Sequence, residues 1–238
     1  MSCNGAMMAR RFSSPAVMLA RTDLMAQARA LAENIRRERH PTRIEALGVR
    51  HPESTTDEAN ATRIMTKTFA WSLRKLGKQA PPRGWSLRIV DSTIDQPLVR
   101  YYPSSGVLEM QKRVFEVFRE LDFVVVAVHE LAGHHLHEST ILQAGDRSYF
   151  MSDRNDTQEG CAMDCEKRLL TGPLYRTALE WKLYRLLRAL EDSGITSAWD
   201  QFPEGHRMPR EYVRHFVEKL PGRAQHYVFM SKDEYCGC

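Results

Sequence analysis

FVVVAVHELAGHH, residues 123–135, decides how this chain folds. Its first six residues are the longest apolar run in the sequence, which predicts a buried segment. Polar chemistry follows at once: His129, Glu130, His134 and His135, with His137 and Glu138 just beyond. The profile predicts a central helix over 123–138, buried on most sides. In a regular helix each residue advances about 100°, so His134 lies about 140° from His129 and His135 about 120° the other way. Neither shares a face with His129. A π-type turn carries more residues per turn and brings His129 and His134 towards alignment; such turns are rare and concentrate at functional sites. Gly133 sits where the distortion falls, and glycine tolerates unusual backbone angles.

The flanking sequence is mostly helical in pattern. Residues 14–39 space Val17, Ala20, Leu24, Ala28, Leu31 and Ile35 along one stripe, and His40 and Pro41 end it. Residues 41–54 read as a loop. Thr56 or Asp57 caps a second helix reaching about residue 76, with Ile64, Phe69 and Trp71 as its apolar mass. After Pro81, Pro82, Arg83 and Gly84 the period changes, and 85–90 and 106–110 read as two short strands. An amphipathic stretch covers 112–121. Downstream, 145–156 is a polar loop and 157–170 a helix. Residues 174–192 form a strong helix with Trp181, Leu183, Leu186 and Leu190, and 209–220 another that Pro221 and Gly222 stop. The fold class is therefore mainly α, of α+β type, with a small β element before the histidine-bearing helix. Residues 1–40 form an N-terminal helical segment with a basic tail, and 41–238 a single domain.

Composition narrows the function. The 238 residues are 42% hydrophobic and 27% charged, ordinary for a chain with a real core. No stretch approaches the roughly 18 uncharged apolar residues of a membrane span. The net charge is +4, and residues 1–50 hold nine arginines, no lysine and four acids. The acid-free first 22 residues loosely resemble a mitochondrial presequence; a tail ahead of a helix is the plainer reading. Acids recur from Asp23 on, so the arginines form a solvated helix face and no nucleic-acid partner is expected. Cys3, Cys161, Cys165, Cys236 and Cys238 are odd in number and closely spaced, which is no disulfide framework. A reducing, cytoplasmic setting follows.

The histidine cluster points to a metal. Burying so many imidazoles and a carboxylate unpaired is costly. A hydrolytic zinc site takes three protein ligands and leaves one position open. His129 and His134, or His135 in its place, supply two. Glu159, 25 residues after His134 on the 157–170 helix, is the leading third ligand, with Glu166 second. Glu130, beside the first histidine, is of the type that serves as general base in H-E-x-x-H helices. Cys161 and Cys165 offer a different outcome, a closed structural zinc with His129 and His134, in a binding protein without activity.

HELAGHHLHES followed by TQEGCAMDCEKRL resembles two groups of gluzincin-like metallopeptidases. One is a bacterial peptidase-like family carrying HExxPGHHLQ and then EGWALYAE. The other is the tubulin tyrosine carboxypeptidase family, with bacterial relatives carrying HExxxH and then EEGLA or QEGLA. RALEDSGI at 188–195 and PGRAQHY at 221–227 are similar to the first family's RLVVDTGIH and PGQALSY. The resemblance covers roughly 100–230. It implies a helical zincin-like domain in which His129, His134 and Glu159 hold zinc and Glu130 activates water. It implies peptide-bond hydrolysis near a chain end, as in a carboxypeptidase or short-peptide hydrolase. It also implies that Tyr227, His226 or Arg223 lines the site, stabilising the oxyanion or binding a substrate carboxylate. The departures are specific. HELAGHH is one residue shorter than HExxPGHH, so His135 stays open as the second ligand. Cys161, Asp164 and Thr196 replace the aromatic, the tyrosine and the final histidine of the family patterns, and the chain is much shorter. A non-peptide amide or ester substrate fits the same residues. By its place before the helix, the 106–110 strand is expected to be an edge that pairs with extended substrate.

Overall fold

A computed structural model of the protein describes residues 15–39, 44–81, 83–93, 98–102, 104–143, 155–192, 195 and 198–203. The helix expected over 209–220 and most of the loop expected over 145–156 lie outside them. The architecture is mostly helical with one small sheet.

The N-terminal helix α1 (Pro15–Arg37) buries Leu24, Ala28, Leu31 and Ile35 of the expected stripe, and Ala32 beside them; the side chains of Val17 and Ala20 lie outside the described residues. Its partner is the long helix over Tyr175–Asp192, whose Leu179, Leu183, Leu186, Leu187 and Leu190 complete a core with Ala198 and Phe202. Residues 24–35 of the N-terminal segment thus pack on that helix. Its arginines at 29, 36 and 37 point to solvent, as the sequence suggests.

Helix α2 (Glu58–Leu76) starts where Asp57 accepts the Asn60 backbone N–H at 2.8 Å. It ends at Gly77, whose left-handed φ of 62° lets its N–H return to the last turn. Ala61, Ile64, Met65, Phe69 and Leu73 form the buried face.

Three strands follow, in the order β1-β3-β2: β1 (Ser86–Val90), β2 (Val99–Tyr102) and β3 (Val107–Gln111). β1 runs parallel to β3 and β2 antiparallel to it. Two expectations are corrected here. A third strand, β2, joins the two expected, and the 106–110 segment is the central strand. Both edges of β3 are already hydrogen-bonded, so it has none left for an extended substrate. Leu108 and Met110 face the core, while Arg88, Glu109 and Arg100 are cross-strand neighbours on the outer face.

The 112–121 stretch also differs from expectation. It makes one helical turn, α3 (Val114–Val117), and then breaks at Phe118, whose ψ of 135° leaves the helical region. The break lets Phe118 pack edge-on against Trp181 and close to Phe123 in the core. Asp122 takes the Arg119 backbone N–H at 2.9 Å and restarts the helix. From there the chain is helical to residue 143: α4 (Glu120–Val126), a π-helix (Ala127–His135) and α5 (Leu136–Gln143). The sequence placed this element at 123–138; it is longer at both ends. Phe123 to Val128 are buried, as their run of apolar side chains demands. Helix α6 (Asn155–Leu169), α7 (Tyr175–Asp192) and the short α8 (Ala198–Gln201) complete the described fold. Among the described residues no helix is long and apolar enough to cross a membrane.

Candidate metal centre

The stretch HELAGHH is wound as a π-helix of nine residues, Ala127–His135. The wider turn brings His129 and His134 together, with ring centroids 5.0 Å apart and planes at 79°. A regular helix would put them on different faces. The five-residue spacing that looked defective is therefore matched by the local backbone.

Helix α6 packs antiparallel on this π-helix: His129 meets Glu166, Ala132 meets Cys165, and His137 meets Cys161. Gly133 makes the approach possible. A Cβ there would lie 2.5 Å from the Ala162 Cα and 2.7 Å from its Cβ. The sequence shows no reason to pair these two residues, since the helices approach only in the fold.

Each histidine of the pair is backed by a buried carboxylate. The His129 Nδ1 is 2.8 Å from the Glu166 Oε1. Arg185, on α7, grips both oxygens of Glu166, at 2.6 and 2.7 Å. Burial alone would push the Glu166 carboxyl up. The Arg185 charge, its hydrogen bonds and His129 overcome this and hold it down at about 2. Glu166 is then an acceptor only, so the His129 Nδ1 is the donor in this bond. The Arg185 Nη2 is also near this Nδ1, but at 3.4 Å it is the weaker contact. The His134 Nδ1 faces the Glu138 Oε1 at 3.5 Å. Glu138 is 2% exposed, and its Oε2 has no hydrogen-bond partner among the described residues. A cation held by His134 would offset a buried carboxylate so placed. Glu138 is thus buried behind His134.

His135 goes the other way. It is fully buried, edge-on to Phe69 and Tyr101, and its Nδ1 is hydrogen-bonded to the Tyr101 hydroxyl at 2.7 Å. Burial holds its imidazole below the usual pKa, against a backbone hydrogen bond with Arg83. The ring ties the π-helix to α2 and β2, on the side away from His129.

The third candidate ligand, Glu159, lies on α6 three residues before Ala162 and seven before Glu166. Those positions fall within about 60° of one another around the helix, on the face that meets the π-helix. The Glu159 side chain is outside the described residues. Glu166, second choice from the sequence, is committed to His129 and Arg185. Glu130 is half-buried beside His129. Tyr227, His226 and Arg223 lie outside the described residues.

The two thiols do not join the histidine pair. The Cys165 Sγ donates to the Ala132 carbonyl at 3.5 Å, and burial pushes this thiol up to about 11, so it stays protonated. The Cys161 Sγ is 3.8 Å from the His137 Nε2. Among the described residues, no three His, Cys, Asp or Glu side chains form a metal-holding group, and the described set includes His129, His134, Cys161 and Cys165. The donor chemistry fits zinc: two imidazoles oriented through Nδ1, and a glutamate position on the facing helix.

The ionised Glu166 has a consequence for stability. Its folded pKa is depressed, so its contribution is present above the unfolded value near 4.5 and is lost as pH falls towards about 2. The metal-free protein is expected to lose about 3 kcal/mol of unfolding free energy across that window, at about 1.4 kcal/mol per unit. Denaturant titrations between pH 5 and pH 2 check this; Glu166→Gln should flatten the slope, and an unchanged slope contradicts it.

No protein-family model, curated protein or solved structure matches the chain, so the reading of the site rests on its own geometry.

Proposed function

We propose that this chain is a zinc-dependent peptidase of zincin-like fold, in which His129, His134 and Glu159 hold the metal. One observation carries the reading: the π-helix sets the His129 and His134 rings 5.0 Å apart, with the Nδ1 of each facing a buried carboxylate. That is how ligating imidazoles are oriented. When bound, zinc supplies Lewis acidity and lowers the pKa of a water towards about 7. Glu130 takes a proton from the attacking water and passes it to the leaving amine. Glu166 and Glu138 hold the two imidazoles in place. Tyr227, His226 and Arg223 are the candidates for steadying the oxyanion or a terminal carboxylate. The substrate class is a peptide or a protein terminus, cut as a carboxypeptidase or short-peptide hydrolase would, in the cytoplasm as the free cysteines suggest.

The closed structural zinc gains no support from the two thiols, which are directed elsewhere. The test is a peptide library with free and blocked ends, scored by mass spectrometry. Cleavage that stops on chelation and returns with zinc supports the reading. A zinc-loaded protein that cleaves nothing returns the chain to a metal-stabilised binding module.

A further inference from the structure

Arg185 belongs to α7, yet its guanidinium reaches the carboxylate that faces His129 on the π-helix. Its Nη1 donates to the Glu166 Oε2 at 2.7 Å and its Nη2 to Oε1 at 2.6 Å. Oε1 also lies 2.8 Å from the His129 Nδ1, and the Arg185 Nη2 is 3.4 Å from that nitrogen. A glutamate carboxylate turns broadly about its last torsion. Two parallel bonds from one planar guanidinium fix that plane and add direction as well as energy. The anchor of the grip is itself fixed: α7 is seated on α1 through the leucines of the second core. On the same helix Arg176 donates to the Ile35 carbonyl and, at 2.9 Å, to that of Glu38, both at the end of α1.

We propose that Arg185 is a positioning residue for the metal centre: by fixing the Glu166 carboxylate it keeps His129 as the Nδ1–H tautomer and leaves Nε2 for the ion. This rests on the zinc reading above. It extends the site to α7 and, behind it, to the N-terminal helix. Arg185 is placed to act on His129 through Glu166, with its own Nη2 a weaker contact at 3.4 Å.

The experiment uses the full chain with Arg185→Lys and Arg185→Gln. Zinc affinity is read by chelator competition. The His129 tautomer is read in zinc-free protein by long-range proton–nitrogen correlation. Both variants are expected to bind zinc about 10- to 100-fold more weakly. Lys is included because a compact ammonium keeps the charge but cannot grip two oxygens in a fixed fork. In both, His129 loses its single Nδ1–H form. Native zinc affinity in Arg185→Lys, or an unchanged tautomer in Arg185→Gln, overturns the proposal. The thermal midpoint of Arg185→Lys separates positioning from folding: weaker zinc with a midpoint near the native value supports it, and loss of zinc only in step with unfolding overturns it. If the native protein takes no zinc, the zinc reading falls, and the tautomer comparison still decides what Arg185 does.

Discussion

Glu130→Gln should slow peptide hydrolysis by about 10²–10⁴-fold while zinc content and thermal midpoint stay at native values. The amide matches the carboxylate in size but cannot take a proton at neutral pH. Glu130 is the residue after His129 on the π-helix, half-buried, and outside the apolar cluster that surrounds the helix. Replacing it leaves the core intact. Its neighbours His129 and His134 keep their carboxylate partners, Glu166 and Glu138. The change should appear in kcat, with zinc measured on the same sample. A rate within twofold of native would mean that Glu130 moves no proton in the slow step.

Gly133→Ala should cost about 2 kcal/mol, even though alanine is favoured over glycine in a helix by about 1 kcal/mol. The added Cβ would sit 2.5 Å from the Ala162 Cα, a backbone atom that no rotamer change can move. The π-helix and α6 must separate, and overpacking of this kind costs about 1–3 kcal/mol or more. For a chain of this size that lowers the midpoint by about 4–8 °C. Zinc affinity should fall with it, because α6 carries both Glu159 and Glu166. Thermal unfolding and chelator competition check both effects. An unchanged or raised midpoint would contradict the close packing.

What could be read in advance followed local rules. The start of helix α2 was legible because Asp57, one of its two candidate caps, is a cap by its own chemistry; its end near residue 76 was expected, but the Gly77 stop was not singled out. The α1 stripe was legible from spacing alone. The π-turn was legible because the five-residue gap between His129 and His134 could hold one ion only if the helix widened. The misses depended on distant partners. β2 has four residues, with Pro97 two positions before it and Pro103 directly after it in the sequence, and its pairing with β3 is not a local property. Phe69 and Tyr101, far away in sequence, pack on His135 and place it in the core, which spacing along one helix could not show. Glu159 and Glu166 share a helix face, so spacing could not tell them apart; that Arg185 holds Glu166 shows only in the fold. Arg185 itself carries no local signal, since an arginine in a leucine-rich helix ordinarily faces water.

The most direct measurement is elemental analysis of the purified protein beside His134→Ala, His135→Ala and Glu159→Ala. The account predicts stoichiometric zinc in the native chain. It predicts that the metal is lost in His134→Ala and Glu159→Ala and kept by folded His135→Ala. Metal-free native protein, or zinc that depends on His135 and not on His134 and Glu159, would contradict it.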